Sequence, residues 1–196
     1  MKHVAFIAAV LALGACAHQA PQVAPTPTGD ARIIPAVDGE VYIPDKAAQG
    51  AYDRLGFAPA RRAGDTVYVS GIIVGPPPGE GTDVEAFKEQ ARRAFRRMET
   101  ILATAGLKFE NVAMINSFHI WDGPNFKGTR DEQIAALNDV KNEFFPLPHP
   151  AWTAVGTTGL LSPAGVVEIQ LTAHVPSTGG PRKGGRKPST PSKTGD

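Results

Sequence analysis

Apolar positions along this chain follow two rhythms, separated by loops. In residues 82–106 they recur at three- and four-residue steps: Val84, Phe87, Ala91, Ala94, Phe95, Met98, Ile101, Leu102 and Ala105. That period lays one stripe along a helix. Thr82 and Glu85 stand ahead of it at capping-box spacing, and Gly106 supplies the stop. Residues 130–145 predict a second helix, with Ile134, Leu137, Val140, Lys141 and Phe144 roughly in register and Pro146 ending it. Elsewhere the period is two. Residues 66–70 are β-branched and aromatic and follow Gly64-Asp65, so they predict a strand entered from a turn. Residues 111–120 predict a long strand with Val112, Met114, Phe118 and Ile120 on one face. His119 then falls on the other face, as a structural or an exposed residue. Residues 151–157 and 166–173 predict the last two strands, joined by a turn over 160–165, and the Gly-Pro-rich stretch 75–81 can only be a loop. The order strand, helix, strand, helix, strand, strand predicts an α+β fold: a two-layer sandwich, a mixed sheet packed on two helices.

The ends of the chain are of a different composition. Met1-Lys2-His3 is a small cationic start, and the charge-free apolar run 4–13 is too short to span a bilayer, which takes about 20 residues. Residues 1–15 therefore predict an export signal. Cys16, directly after Leu13-Gly14-Ala15, stands where a lipoprotein signal places its lipidated cysteine; the alternative is an ordinary signal peptide cleaved nearby. It is the only cysteine, so it has no disulfide partner within the chain. Residues 16–30, rich in Pro, Ala and Thr, predict a flexible tether. Ala17 rather than Asp after the cysteine favours the outer membrane by the rule such lipoproteins follow. The folded domain is expected over 31–175. The segment 176–196 predicts a disordered basic tail carrying Arg182, Lys183, Arg186, Lys187 and Lys193 against Asp196 alone. That tail is either a solvated end or an electrostatic contact to an anionic partner.

Charge and motif spacing exclude several chemistries. The chain holds 20 basic and 19 acidic residues, and with the tail set aside the folded part is mildly acidic. A basic field for nucleic acid is therefore not expected in the domain. His119, His149 and His174 lack ligand spacing, there is no cysteine pair, and the loop near Pro76 lacks the lysine and helix start of a phosphate-binding loop, so no metal and no cofactor are expected. Arg92, Arg93, Arg96 and Arg97 lie off the apolar stripe and read as a solvated face offset by Glu89 and Glu99.

Several blocks resemble the RidA (YjgF/UK114) family in order along residues 57–175. Ala63-Gly64-Asp65-Thr66-Val67-Tyr68-Val69-Ser70-Gly71 is similar to that family's Ala-Gly-(Asn/Asp)-x-(Val/Ile)-(Tyr/Phe)-Val-Ser-Gly block. Asn138 with Glu143-Phe144-Phe145 resembles its Asn-x-x-x-x-x-(Phe)-Phe, Phe126 its Asp-Phe, and Val167-Glu168-Ile169 its closing strand. The resemblance implies a chorismate-mutase-like fold and a homotrimer with pockets between neighbouring subunits. It also implies a site: Glu168 matches the acid that orients water or a substrate amine and is the candidate catalytic residue, while Ser70 and Gly71 match the pocket wall. Phe57, Trp152 and Thr153 complete the expected ligand-binding set.

The departures are informative. Family members carry Pro-Ala-Arg-(Ser/Thr), whose arginine grips the carboxylate of an imino acid; here the segment is Pro150-Ala151-Trp152-Thr153. Phe57 stands where the family has a tyrosine hydroxyl, and Ala154 where many members carry a small polar residue or cysteine. A guanidinium–carboxylate fork contributes roughly 1.5–3 kcal/mol per charge-assisted bond. Trp offers one donor and a π face, which favours a neutral, flat or cationic ligand. Two functions follow as expectations. One is an envelope lipoprotein with an intersubunit pocket that binds a small apolar or aromatic metabolite with little or no catalysis. The other is a divergent enamine/imine deaminase that releases a carbonyl and ammonia. Trp152 filling the cleft entirely is the third possibility for the site. An endoribonuclease role runs against the acidic domain and the export signal.

Overall fold

In the computed structural model, residues 29–176 are described. The expected signal, Cys16, most of the tether and all but the first residue of the basic tail lie outside them. Seven strands form one sheet in the order β1-β2-β3-β4-β7-β5-β6. The strands are β1 (Arg32–Ala36), β2 (Gly39–Ile43), β3 (Ala60–Ala63), β4 (Thr66–Val74), β5 (Val112–His119), β6 (Ala151–Gly156) and β7 (Val167–His174). All neighbours run antiparallel except β5 and β6, which are parallel. A parallel pair needs a crossover, and α3 (Arg130–Phe144) provides it; α2 (Val84–Thr104) connects β4 to β5. The α+β sandwich on a mixed sheet is thus the observed fold.

α2 and α3 cover one face of the sheet. Phe87, Ala91, Ala94, Phe95, Met98, Ile101 and Leu102 of α2 are buried against Val67, Val69, Val74, Ile115, Val167, Ile169 and Leu171 of the strands. Phe95 and Phe144 stack with centroids 5.3 Å apart, and Phe109 and Phe145 pack beside them, which fastens the end of α3 to α2. The cap of α2 is Asp83, whose side chain accepts from the Ala86 N–H, and not Thr82 as the Thr-x-x-Glu spacing suggested. Its end is as expected: Gly106 is left-handed, its N–H donates to the Ala103 carbonyl, and the Leu107 N–H donates to the Leu102 carbonyl. Thr129 and Glu132 form the capping box of α3.

Four elements, β3 among them, lie beyond the sequence expectation. β1, β2 and α1 (Lys46–Leu55) build a second small core from Val41, Ile43 and Ala48, with Ile34, Tyr52 and Ala58 packed on it. Asp45 caps α1 through the Ala48 N–H and also pairs with Arg97 of α2, tying this lobe to the main body. The arginine face of α2 is more engaged than expected. Arg92 forks onto Glu143 of α3 and also meets Glu89, while Arg93 forks onto Glu80. The acids that offset the arginines are therefore Glu89, Glu143, Glu80 and Asp45, and Glu99 is not among the ion-paired ones.

β5 corrects the expected strand face. Its register shifts between Val112 and Met114, where the ladder with β7 is irregular. Such a slip inverts every side chain after it. The buried set becomes Val112, Ile115, Ser117 and His119, while Met114, Phe118 and Ile120 move to the half-covered open face. His119 is fully buried, so the exposed reading of it is excluded.

Candidate functional site

The expected site residues divide between the two faces of the sheet. On the open face, the register of β4 slips between Val69 and Ile72, which leaves Ser70 and Gly71 outside the regular ladder. Ser70 turns back to the segment before β3: its hydroxyl donates to the Ala58 carbonyl at 2.6 Å and its N–H to the Pro59 carbonyl at 2.9 Å. That segment carries Phe57, which is 41% exposed, directly after the left-handed Gly56 that ends α1. Next to Ser70, Gly71 faces Glu168. A Cβ on residue 71 would stand 2.6 Å from the Glu168 carboxyl carbon and 2.7 Å from its Cγ, so the carboxylate lies where any side chain at 71 would be. Phe57, Ser70, Gly71 and Glu168 are thereby linked in one neighbourhood around the β4 irregularity.

Thr153 shares this face but sits further across the sheet. It pairs with Asn116 of β5, which is opposite Gln170 of β7, and the Asn116 amide donates to the Gln170 side chain at 3.5 Å. Glu168 is one step along, opposite Phe118, which in turn pairs with Val155 of β6. The open face here is a half-exposed row of Val155, Phe118 and Glu168.

Trp152 points the other way. Residues alternate across a strand, and Trp152 pairs with the buried Ile115 and packs against the main core under α3. Its indole N–H donates to the Ser117 hydroxyl at 2.8 Å. Ser117 lies 2.8 Å from His119 Nε2, and His119 Nδ1 lies 2.8 Å from the Gln133 side-chain oxygen. The Gln133 amide donates to the Ile120 carbonyl at 3.1 Å. The chemistry of the partners sets the direction of this chain. Indole only donates, so Ser117 accepts from Trp152 and passes its own hydrogen to Nε2; Nδ1–H then donates to Gln133. Every member is satisfied with His119 neutral. Burial, reinforced by the positive charge of Arg130 and opposed by the bond to Gln133, pushes the imidazole below its ordinary value. Trp121 stacks on His119 at 4.3 Å, and Arg130 lies over the indole of Trp121 at 4.7 Å.

Hydroxyl, imidazole and a third orienting group are connected here as in a nucleophile–base–orienter set. Ser117 is nevertheless fully buried, and its oxygen is occupied by the indole N–H of Trp152. The arrangement holds Trp152 in place and presents no free nucleophile.

Above the Trp152 ring lies Lys141 of α3, its ammonium 5.7 Å from the ring centroid. Lys141 is only 6% exposed, and no acid among the described residues stands within ion-pair distance of it. Burial lowers its pKa from the ordinary lysine value. Sequence placed Lys141 on the helix stripe but attached no chemistry to it. The signal was a cation at an apolar register position, four residues after Leu137 and three before Phe144. Ser117 gave no comparable signal, because its burial depends on the β5 irregularity, and Gln133 is a polar residue of α3 off the apolar positions read from the sequence. Within one chain the structure thus gathers Phe57, Ser70, Gly71 and Glu168, sets Thr153 apart on the same face, and places Trp152 behind the sheet. Among the described residues no group of His, Cys, Asp and Glu could hold a metal ion, and no helix is long and apolar enough to cross a membrane.

Residues 48–175 match the family described as Endoribonuclease L-PSP. The RutC family protein YjgH of Escherichia coli (strain K12) is 35% identical over 122 residues, which cover 61% of this chain and 83% of that protein. A solved structure of YjgH superposes with a TM-score of 0.51 at 32% identity, covering 64% of this chain and 88% of that one. RidA from the Antarctic bacterium Psychrobacter sp. PAMC 21119 is 27% identical, with a TM-score of 0.49 and coverage of 61% and 88%.

Proposed function

The chain belongs to the Endoribonuclease L-PSP family, the family of YjgF and RidA, and on that premise we propose that it is a small-molecule-binding relative with little or no activity on imino acids. One observation carries this reading. At the position where the resemblance places a carboxylate-gripping arginine, Trp152 has a single N–H donor, and that donor is already bonded to Ser117. From behind the sheet this residue offers the open-face site around Glu168 no donor for a ligand carboxylate, and an unpaired charge in a desolvated site is costly. Phe57 and Ala154 remove two further polar handles. What is left around Glu168 is an acid beside the backbone of Ser70 and Gly71 and the half-exposed Phe118. That chemistry suits a small apolar or aromatic molecule. A second reading rests on Glu168 itself: the carboxylate is retained on the open face, where it could orient water for the hydrolysis of an imine that lacks a carboxylate.

The test is an imine-hydrolysis assay on the purified full chain, with substrates spanning imino acids and carboxylate-free imines generated in place. No turnover of either class, together with a ligand-dependent rise in melting temperature, is the expected result. Turnover of imino acids that disappears in Glu168→Gln would overturn the proposal, and turnover of carboxylate-free imines alone would establish the second reading.

The assembly and address proposed with this function are a homotrimer, exported and lipid-anchored through Cys16 with its domain in the periplasm, more at the outer membrane than the inner. The address is supported by the apolar run 4–13 and the Leu13-Gly14-Ala15-Cys16 segment that ends it, and the trimer by the family resemblance. Fatty-acid labelling that is lost in Cys16→Ser is the expected outcome, and sedimentation of the unlipidated variant reads the trimer. The acidic balance of the folded part supports no nucleic-acid partner, and intact single-stranded RNA after incubation is expected.

A further inference from the structure

A carboxylate that the fold half covers usually accepts hydrogen bonds or meets a cation. Glu40 accepts from the Tyr42 hydroxyl and pairs with Arg62, Asp45 pairs with Arg97, and Glu80 with Arg93. Glu99 has Arg96 near it. Glu168 is half-covered too, yet among the described residues no group donates to it and no cation stands within ion-pair distance. The buried side-chain polar atoms without a partner belong, among the described residues, to Arg61 and Gln90, so the Glu168 oxygens stay open to solvent. Its neighbours across the sheet are apolar: Ile73 of β4 on one side and Phe118 of β5 on the other, with Val155 of β6 beyond. The Ser70 hydroxyl already gives its hydrogen to the Ala58 carbonyl. Arg61, a cation of the same face, stands opposite Tyr68, which pairs with Thr172 further along β7, and its guanidinium donates to the Val37 carbonyl.

We propose that Glu168 anchors the ammonium group of a small aromatic amine, a ligand with no carboxylate of its own, whose ring lies along Phe118. The acid supplies the unfilled acceptor, and an ammonium brings three donors and the opposite charge. Ile73, Phe118 and Val155 supply an apolar row for the body of the ligand, and the face of the Phe118 ring favours a cation beside it. Gly71 keeps the carboxylate in its place, because a side chain there would displace it. A neutral ring compound offers at most an uncharged and weaker donor, and an acid is repelled. The small-molecule reading above is the premise; the charge of the ligand is the addition, and a neutral analogue with the same ring separates the two.

The experiment measures binding of phenethylamine, phenethyl alcohol and phenylacetate to the purified full chain by isothermal titration calorimetry near neutral pH. The amine is expected to bind about tenfold more tightly than the alcohol, the worth of one charge-assisted hydrogen bond, and the acid to bind least. In Glu168→Gln the amine should fall to the level of the alcohol, whose own affinity stays unchanged. Gly71→Ala keeps the acid but moves it, so it too should erase most of the amine's advantage. Added salt should weaken the amine and leave the alcohol unaffected. Circular dichroism confirms that each variant is folded. Equal binding of amine and alcohol to the wild-type chain would mark Glu168 as a solvated acid and overturn the charge assignment, with the small-molecule reading left standing; binding of neither would overturn both. An amine preference that persists in folded Glu168→Gln, or one indifferent to salt, would also sink the assignment.

Discussion

Trp152 and Ser117 are joined by a 2.8 Å hydrogen bond across the parallel pair of β6 and β5. This bond turns the tryptophan inward and makes it a structural member of a buried polar chain. Trp152→Phe keeps the ring and removes the donor, so a stability loss of about 0.5–1.5 kcal/mol is expected by urea denaturation. Trp152→Arg should cost more, because it sets a second cation beside Lys141 and deprives Ser117 of its indole partner. It is expected to gain no imino-acid turnover; a gain would show that arginine can reach a ligand from this position.

Gln133→Ala removes the acceptor of the His119 Nδ1–H in a fully buried place. A loss of roughly 1–3 kcal/mol is expected, the cost of an unsatisfied buried donor. Gln133→Glu should be informative in the opposite sense, since a carboxylate there would favour a charged His119 and raise the imidazole's pKa, which NMR titration would read.

His119 also gives stability a pH signature. In the unfolded chain its imidazole takes up a proton near pH 6.5, whereas burial holds the folded one lower. Below about pH 6.5 the unfolded state therefore binds more protons, so stability falls with falling pH and levels off once the folded imidazole is protonated. Asp45 and Glu143, held low by Arg97 and Arg92, lose their contributions only further down, in and below the ordinary carboxylate range. Glu99, raised by burial, acts in the opposite sense. Comparing His119→Gln with the wild-type chain isolates the imidazole: the slope below about pH 6.5 should flatten in the variant.

Asp45 serves both the α1 cap and the Arg97 pair. Asp45→Ala is expected to lose about 1–2 kcal/mol, mostly the cap. Asp45→Asn keeps a capping oxygen and sacrifices a half-exposed ion pair, so it should cost less than about 1 kcal/mol. Equal losses in the two variants would show that the ion pair dominates.

Periodicity made the main body legible because the stripe of α2 and the strands β4 and β7 are dictated by burial on one side. β1 and β2 were not legible: each is five residues long, and Pro35 breaks the run of β1. In α1 the buried contribution is one alanine, Ala48, which leaves no stripe to read. The cap at Asp83 lost out to a neighbouring threonine at capping-box spacing, a one-residue ambiguity that only backbone geometry resolves. The face of β5 was read wrongly because an irregular register is invisible to alternation. The site inherits that limit: which face Trp152 joins depends on its alignment with Ile115 and Ser117, and one strand's pattern carries no information about its neighbour's register.

The approach of Glu168 to Gly71 has a consequence for how such a site can change. A Gly71→Ala chain must swing Glu168 aside, and a chain with a shorter residue at 168 has no need of glycine at 71. The two positions thus form a single unit of inheritance on the open face: drift at one frees the other, and the acid holds its present place only while residue 71 is glycine.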